Sequence, residues 1–244
     1  MKKRVFDYLF IIYIFSTVTL FGQENFGFSN LDFTNWDLHH SYGYTSPDIE
    51  TKYYKLNSPH YDAWHSINTI IGFDVNTLSK LKFIPEGETC SVRLDNSNNG
   101  SQSEKLSYII EVNSENVKGH ICCKYAIVFQ NSLIDSNTFV QFKFRINGYL
   151  NGELLEESFE VNASTKDSKF NLVRLPNRCI KWKDWTEISF DLKNYEINDK
   201  IRFEFENYDC AIGQSFGYAY LVTDYNESDK EIVNVGTIQK PESN

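Results

Sequence analysis

The sequence predicts an all-β fold, an antiparallel sandwich of two sheets. Three segments alternate apolar and polar residues, turn chemistry punctuates the chain between them, and no amphipathic stretch lasts three helical turns. In the first segment Val140, Phe142, Phe144 and Ile146 alternate with Gln141, Lys143 and Arg145. In the second, Ile188, Phe190 and Leu192 alternate with Ser189 and Asp191. In the third, Ile201, Phe203 and Phe205 alternate with Arg202, Glu204 and Glu206. Each reads as a half-buried strand with one wet face. The wet faces carry Lys, Arg and Glu, so both sheets are expected to keep a solvated side. Further strands are expected at 91–94, 106–112, 124–130, 159–163 and 216–223, which are rich in residues that suit a pleated surface. Turns are expected at 95–100, Asn147-Gly148, Asn151-Gly152 and Asn198-Asp199.

Charge and length bound what such a sandwich does. The chain has 244 residues, with 24 Lys+Arg against 33 Asp+Glu and a net charge of −9. Residues 1–22 read as a secretory leader: Lys2, Lys3 and Arg4 precede an apolar run from Leu9 to Phe21 that is too short to span a bilayer comfortably. Cleavage is expected after Gly22. With Asp7 the leader carries +2, so the mature chain has 244 − 22 = 222 residues and a charge of −9 − 2 = −11. The expected location is secreted or cell-surface, with no membrane span in the mature form. One domain is expected over 23–225, followed by a polar tail over 226–244. A pI near 5.1 argues against nucleic acid and against anionic lipid. Aromatic residues at 16% supply ample material for a core, which rules out wholesale disorder.

The five cysteines are Cys90, Cys122, Cys123, Cys179 and Cys210. An odd number leaves at least one thiol unpaired or intermolecular. Adjacent Cys122 and Cys123 face opposite sides of a strand. No spacing suits structural zinc.

Gly213-Gln214-Ser215-Phe216-Gly217 matches the nucleophile-elbow pattern of serine hydrolases. All five histidines precede Ser215, and a strand pattern follows it where that pattern needs a helix. It therefore reads as a Gly-rich turn. Asp95, Ser97 and Asn99 place oxygen donors at alternate positions before Gly100, as a calcium loop does. Position 12 is Leu106 and not Glu, which rejects an EF-hand. Two readings stand: a looser calcium site on Asp95, Ser97 and Asn99, or a polar hairpin turn. Glu204 and Glu206 share a strand face, which reads as a solvated exterior. Trp182 and Trp185, three residues apart, face opposite sides if the strand is regular.

The segment order carries a resemblance. Cys90–Asn96, Ser103–Tyr108, Lys124–Phe129, Lys181-Trp-Lys-Asp-Trp-Thr186, Phe190-Asp-Leu192, Asp209-Cys-Ala-Ile-Gly213 and Phe216-Gly-Tyr-Ala-Tyr220 occur in sequence. Together they resemble, over about residues 80–225, the jelly-roll modules of secreted Bacteroidota surface proteins. Those proteins are gliding-associated or adhesive, and the modules often adjoin PKD or Ig-like repeats. Phe28-Ser-Asn-Leu-Asp-Phe-Thr-Asn-Trp36 also looks like the first strand of galactose-binding-like and carbohydrate-binding jelly rolls. The resemblance implies a jelly-roll sandwich with Trp36 in its core. Ser29 stands at the family's acidic position, and the last strand has Val222 and Tyr225 or Asn226 where relatives have Asp and Cys. Those departures weaken a carried-over calcium site and leave Cys210 without its usual partner. The repeats and sorting tail that often follow are absent from the sequence, so the chain is expected to stand alone.

The expected function is a non-catalytic binding or adhesion module that recognises a glycan or a surface partner. The alternatives are a polysaccharide hydrolase or lyase on the same scaffold, and a structural spacer. The stretch from Trp36 to Trp64 is dense in ring side chains. Within it Trp64 and Tyr61 are the expected ligand contacts, because Pro59 and Asp62 mark an exposed turn around them.

Overall fold

The computed structural model describes residues 25–42, 53–56, 64–98, 100–131, 142–155, 159–162, 170–176, 178–208 and 215–226. Among them no α-helix occurs, and no helix is long and apolar enough to cross a membrane. The strands in chain order are β1 (Asp37–Tyr42), β2 (Tyr54–Lys55), β3 (His65–Asn68), β4 (Ser91–Leu94), β5 (Gln102–Glu111), β6 (His120–Asn131) and β7 (Lys143–Leu150). They continue as β8 (Glu153–Leu154), β9 (Phe159–Asn162), β10 (Asn171–Leu175), β11 (Arg178–Asp191), β12 (Lys200–Tyr208) and β13 (Gly217–Asn226).

All pairings are antiparallel, and the strands form two sheets. The seven-stranded sheet runs β2-β1-β5-β12-β7-β8, with β9 also on β7; the six-stranded sheet runs β10-β11-β6-β13-β4-β3. From β4 to β7, and again from β11 to β13, successive strands change sheet. This is the expected two-sheet jelly-roll sandwich.

The alternation in the sequence sets the core. Leu106, Tyr108 and Ile110 of β5, Phe203 and Phe205 of β12, and Phe144 and Ile146 of β7 point inward. They meet Ile121, Cys123, Tyr125, Ile127 and Phe129 from β6. The approach segment of β1 closes one end. There Trp36 stacks on Phe28 at 4.5 Å, and its Nε1 donates to the Asn25 carbonyl. The expected core place of Trp36 is the observed one.

The expected turn at Asn147-Gly148 is instead mid-strand, inside β7. Gly148 is needed there because a Cβ would lie 2.8 Å from Leu155 Cδ1. The turn falls at Asn151-Gly152, where φ values of 49° and 95° satisfy a tight hairpin.

The seven-stranded sheet has a polar outer face, whereas the six-stranded sheet keeps one only at the end with Lys124, Glu187 and Asp224. The rest of its outer side is covered by residues 70–86, which bury Leu81 against Ala126, Val128, Trp182, Tyr218 and Tyr220. Asp74 pins this cover. Its carboxylate accepts from Tyr218 Oη and Tyr220 Oη, each at 2.7 Å, and caps the one-turn helix Val75–Thr77 through the amides of Asn76 and Thr77. A bulge between Lys183 and Thr186 inserts one residue into β11. It turns Trp185 to the same side as Trp182, and the Trp185 indole donates to the Lys82 carbonyl. The opposite-face expectation for the two tryptophans fails for that reason.

Cys90, Cys122, Cys123 and Cys179 are free and buried, and Cys210 lies outside the described residues. Cys123 lies in the core, while Cys122 on the other face approaches Ser189 Oγ at 3.8 Å. Burial pushes the thiols of Cys90, Cys122 and Cys123 upward, away from the reactive thiolate.

Candidate functional site

With Leu106, Tyr108 and Ile110 pointing inward, the odd-numbered residues of β5 face out, and the strand register extends that face across the sheet. One row runs Ile109, Arg202, Tyr149. The next runs Asp37, Ser107, Glu204, Asn147. The third runs Lys55, His39, Lys105, Glu206, Arg145, Glu160. A fourth brings Ser41, Ser103 and Tyr208 together. Four strands or more contribute to the middle rows, so residues more than 100 positions apart in the chain become neighbours.

Three cations on this face lie over tyrosine rings. Arg202 Cζ is 4.6 Å from the centre of Tyr149, Lys105 Nζ is 4.7 Å from Tyr53, and Arg145 Cζ is 5.5 Å from Tyr208. Between them sit two carboxylates that the sequence reads as solvated. Glu204 and Glu206 are in fact only 4% and 6% exposed. The long side chains of the flanking strands close over them. Glu204 accepts from Lys105 Nζ at 3.3 Å and forms an ion pair with Arg202, whose Nε lies 3.3 Å away without a hydrogen bond. Glu206 Oε2 accepts from Tyr208 Oη at 2.8 Å and Asn147 Nδ2 at 3.2 Å. Burial raises the Glu206 pKa, and its hydrogen bond from Tyr208 opposes the shift. Burial and the nearby Glu204 charge push the Tyr149 hydroxyl up to about 12. Burial, with Lys105 beside it, lowers His39 and keeps the imidazole neutral near pH 7.

The described residues among those expected are Trp64, Asp95 and Ser97, and none of them stands in these rows. Trp64 precedes β3, half-buried, with its ring stacked on His40 at 4.3 Å and 12°. Its carbonyl accepts from the Asp95 amide at 2.7 Å. Tyr61 and Asn99 lie outside the described residues. Ser97 is exposed. Asp95, by contrast, turns into the sandwich and is 1% exposed. Its Oδ1 accepts from the Asn96 amide at 2.6 Å and its Oδ2 from Asn207 Nδ2 at 3.2 Å. Glu104, also fully buried, hydrogen-bonds the same carboxyl group. Burial pushes the Asp95 pKa up, so the pair retains a proton well above the ordinary carboxylate range. The described part of the 95–100 loop therefore directs its carboxylate inward and not toward Ser97. No group of three or more His, Cys, Asp or Glu side chains suited to a metal occurs among the described residues. Ser215 is buried, and β13, a strand and not a helix, follows it.

No family model matches the chain, and no curated protein matches it. Among solved structures it is similar to TmCBM61 in complex with β-1,4-galactotriose, at TM-score 0.40 and 13% identity, over 84% of this chain and 97% of that one. It is also similar to a family 11 carbohydrate-binding module from Clostridium thermocellum in complex with a β-1,3-1,4-mixed-linked tetrasaccharide, at TM-score 0.27 and 8% identity, over 78% and 86%. An exo-1,3/1,4-β-glucanase from Pseudoalteromonas matches at TM-score 0.36 and 7% identity, over 84% of this chain but 21% of the enzyme. These likenesses are distant, and the functional reading rests on the face itself.

Proposed function

We propose that the protein is a secreted or cell-surface, non-catalytic module that binds a glycan across the outer face of its seven-stranded sheet. One observation carries the reading. Rings and the cations above them form the accessible layer of this face, while Glu204 and Glu206 lie sunk beneath it and engaged with their neighbours. Ring faces and fixed planar donors are the chemistry that grips a sugar, through stacking on C–H surfaces and directional bonds to hydroxyls. Cleavage asks for something else: a carboxyl group that touches the glycosidic oxygen or the anomeric carbon. Trp64 and Tyr61 are proposed as a secondary contact, and a surface protein is the alternative partner.

A glycan array with the mature protein tests the reading. Binding is expected, and Tyr149→Ala should weaken it. Binding to no glycan by a folded protein refutes it. N-terminal sequencing of native material should begin after residue 22.

The hydrolase alternative has one observation in its favour. Burial raises the Glu206 pKa, and Glu204 lies near it between two cations, so two carboxyl groups stand close together in unlike surroundings. Release of reducing sugar that Glu206→Gln abolishes would establish that reading over the binding one.

A further inference from the structure

Building on the glycan-binding reading, we infer that the ligand is an anionic polysaccharide, with a carboxylate or sulfate group on its sugars. The argument is a difference in accessibility between the two signs of charge. The Arg202 side chain is 43% exposed and the Glu204 side chain that balances it is 5%. Lys105, on the other side of the same carboxylate, is 16% exposed. Glu204 is thus below the layer that a ligand touches, and Arg202 reaches through it, whereas Arg145 and its partner Glu160 are exposed to similar extents, 34% and 27%.

The two arginines are also set to receive an oxyanion. Arg145 Nε donates to Glu160 at 2.5 Å, and Arg202 Nε lies 3.3 Å from Glu204 as an ion pair without a hydrogen bond. With its Nε side turned to the carboxylate, each guanidinium has its two terminal amino groups at the far end of the fork, the edge that pairs bidentately with a planar carboxylate or a sulfate. Stacking over Tyr149 and Tyr208 holds each fork in place. Pre-positioning lowers the ordering cost of binding. Arg145 lies opposite Glu206, four residues along β12 from Arg202. At a rise of roughly 3.3 Å per residue the two forks stand about 13 Å apart along the strand, a separation suited to a chain and not to a single sugar. Ile109, 54% exposed and directly opposite Arg202, adds an apolar floor beside the first fork.

The whole chain carries −9, so a polyanion is repelled by most of its surface. A cationic platform on an acidic protein therefore selects where and how such a ligand docks, since complementary charge fixes register and steers the approach.

The experiment is affinity electrophoresis of the full-length mature protein in gels that contain polygalacturonate, a sulfated galactan, or neutral β-1,4-galactan. Retardation is expected in at least one of the two anionic gels, and whichever retards names the acidic group. It should weaken about tenfold in the double variant Arg145→Gln/Arg202→Gln and fall with added salt. Arg174→Gln, an exposed arginine on β10 of the other sheet, should change nothing. Thermal melting confirms that each variant is folded. Retardation by neutral galactan alone, insensitive to salt and to the double variant, overturns this inference and leaves the glycan-binding reading intact. Retardation by none of the three, with no binding on a wider glycan array, overturns both.

Discussion

Asp74 offers the sharpest test of how the scaffold is held. Its carboxylate accepts two hydroxyl bonds, from Tyr218 and Tyr220 at 2.7 Å, and two amide bonds, from Asn76 at 2.8 Å and Thr77 at 3.2 Å. Both tyrosines are 1% exposed, so neither hydroxyl can turn to water. Asp74→Ala strands the Tyr220 hydroxyl and leaves Tyr218 Oη with the Asn76 amide alone, at 2.9 Å. A stranded buried donor costs about 1–3 kcal/mol, and loss of an N-cap costs about 1 kcal/mol. With allowance for partial relaxation, the expected loss is about 4 kcal/mol, or about 10 °C in melting temperature for a domain of this size. Asp74→Asn keeps the shape and one acceptor, and should lose about half as much. Tyr220→Phe removes the donor along with the bond and should cost only about 1–2 kcal/mol. Asp74→Ala/Tyr220→Phe should then be no worse than Asp74→Ala alone, because the second change removes the group that the first left stranded. Urea unfolding followed by tryptophan fluorescence measures all four. An Asp74→Ala protein within about 1 kcal/mol of the parent would refute the claim that this carboxylate pins the cover.

Three further outcomes are expected. Gly217→Ala should lower stability by about 1–3 kcal/mol, because its Cβ would fall 2.0 Å from Phe142 Cδ2 in a ring stacked on Phe129; an unchanged melting temperature would contradict the packing. The raised Asp95 carboxyl binds its proton more tightly in the folded state than in the unfolded one. Its contribution is full below about pH 4 and is lost as pH rises through the folded value. His65, lowered by burial to about 3, acts in the opposite sense and has no further effect above about pH 6.5. Asp95→Asn should therefore flatten the decline in melting temperature on the neutral side, and an identical decline in the variant would count against the shared proton. Finally, Trp64→Ala and Tyr61→Ala should weaken glycan binding severalfold if these rings extend the site. Unchanged affinity at unchanged melting temperature would remove them.

The sandwich is legible in the sequence because its strongest signal is local. Phe203 and Phe205 announce their face through Arg202, Glu204 and Glu206 on the other, and β12 forms where that alternation lies. The cover over the six-stranded sheet is less plain, because Tyr218 and Tyr220 carry polar tips that suit water as well as Asp74. One trace of it was present. From Ile121 to Phe129 β6 is almost continuously apolar, the pattern of a strand buried on both sides. The bulge that turns Trp185 has no comparable trace, since one inserted residue reverses the facing without a change in composition.

The candidate site is illegible for a different reason. A Glu on the wet side of a strand reads alike whether water or a guanidinium lies above it. What decides between them is the row: Glu204 is sunk because Lys105 stands about a hundred residues before it in sequence and yet beside it in the sheet. The sequence reading instead favours the ring-dense stretch 36–64, whose described members are split between core, sheet face and edge. The fold narrows the choice further. With much of the outer face of the six-stranded sheet taken up by residues 70–86, the outer face of the seven-stranded sheet is the broader strand-built surface for an extended ligand. Substitutions on the two faces should therefore separate cleanly. Asp74→Asn should lower melting temperature and leave glycan affinity at the parent value below the melt, whereas Tyr149→Ala should lower affinity with little change in melting. Coupled effects, with both variants losing affinity in proportion to stability, would mean that the ligand surface is not confined to the outer face of the seven-stranded sheet.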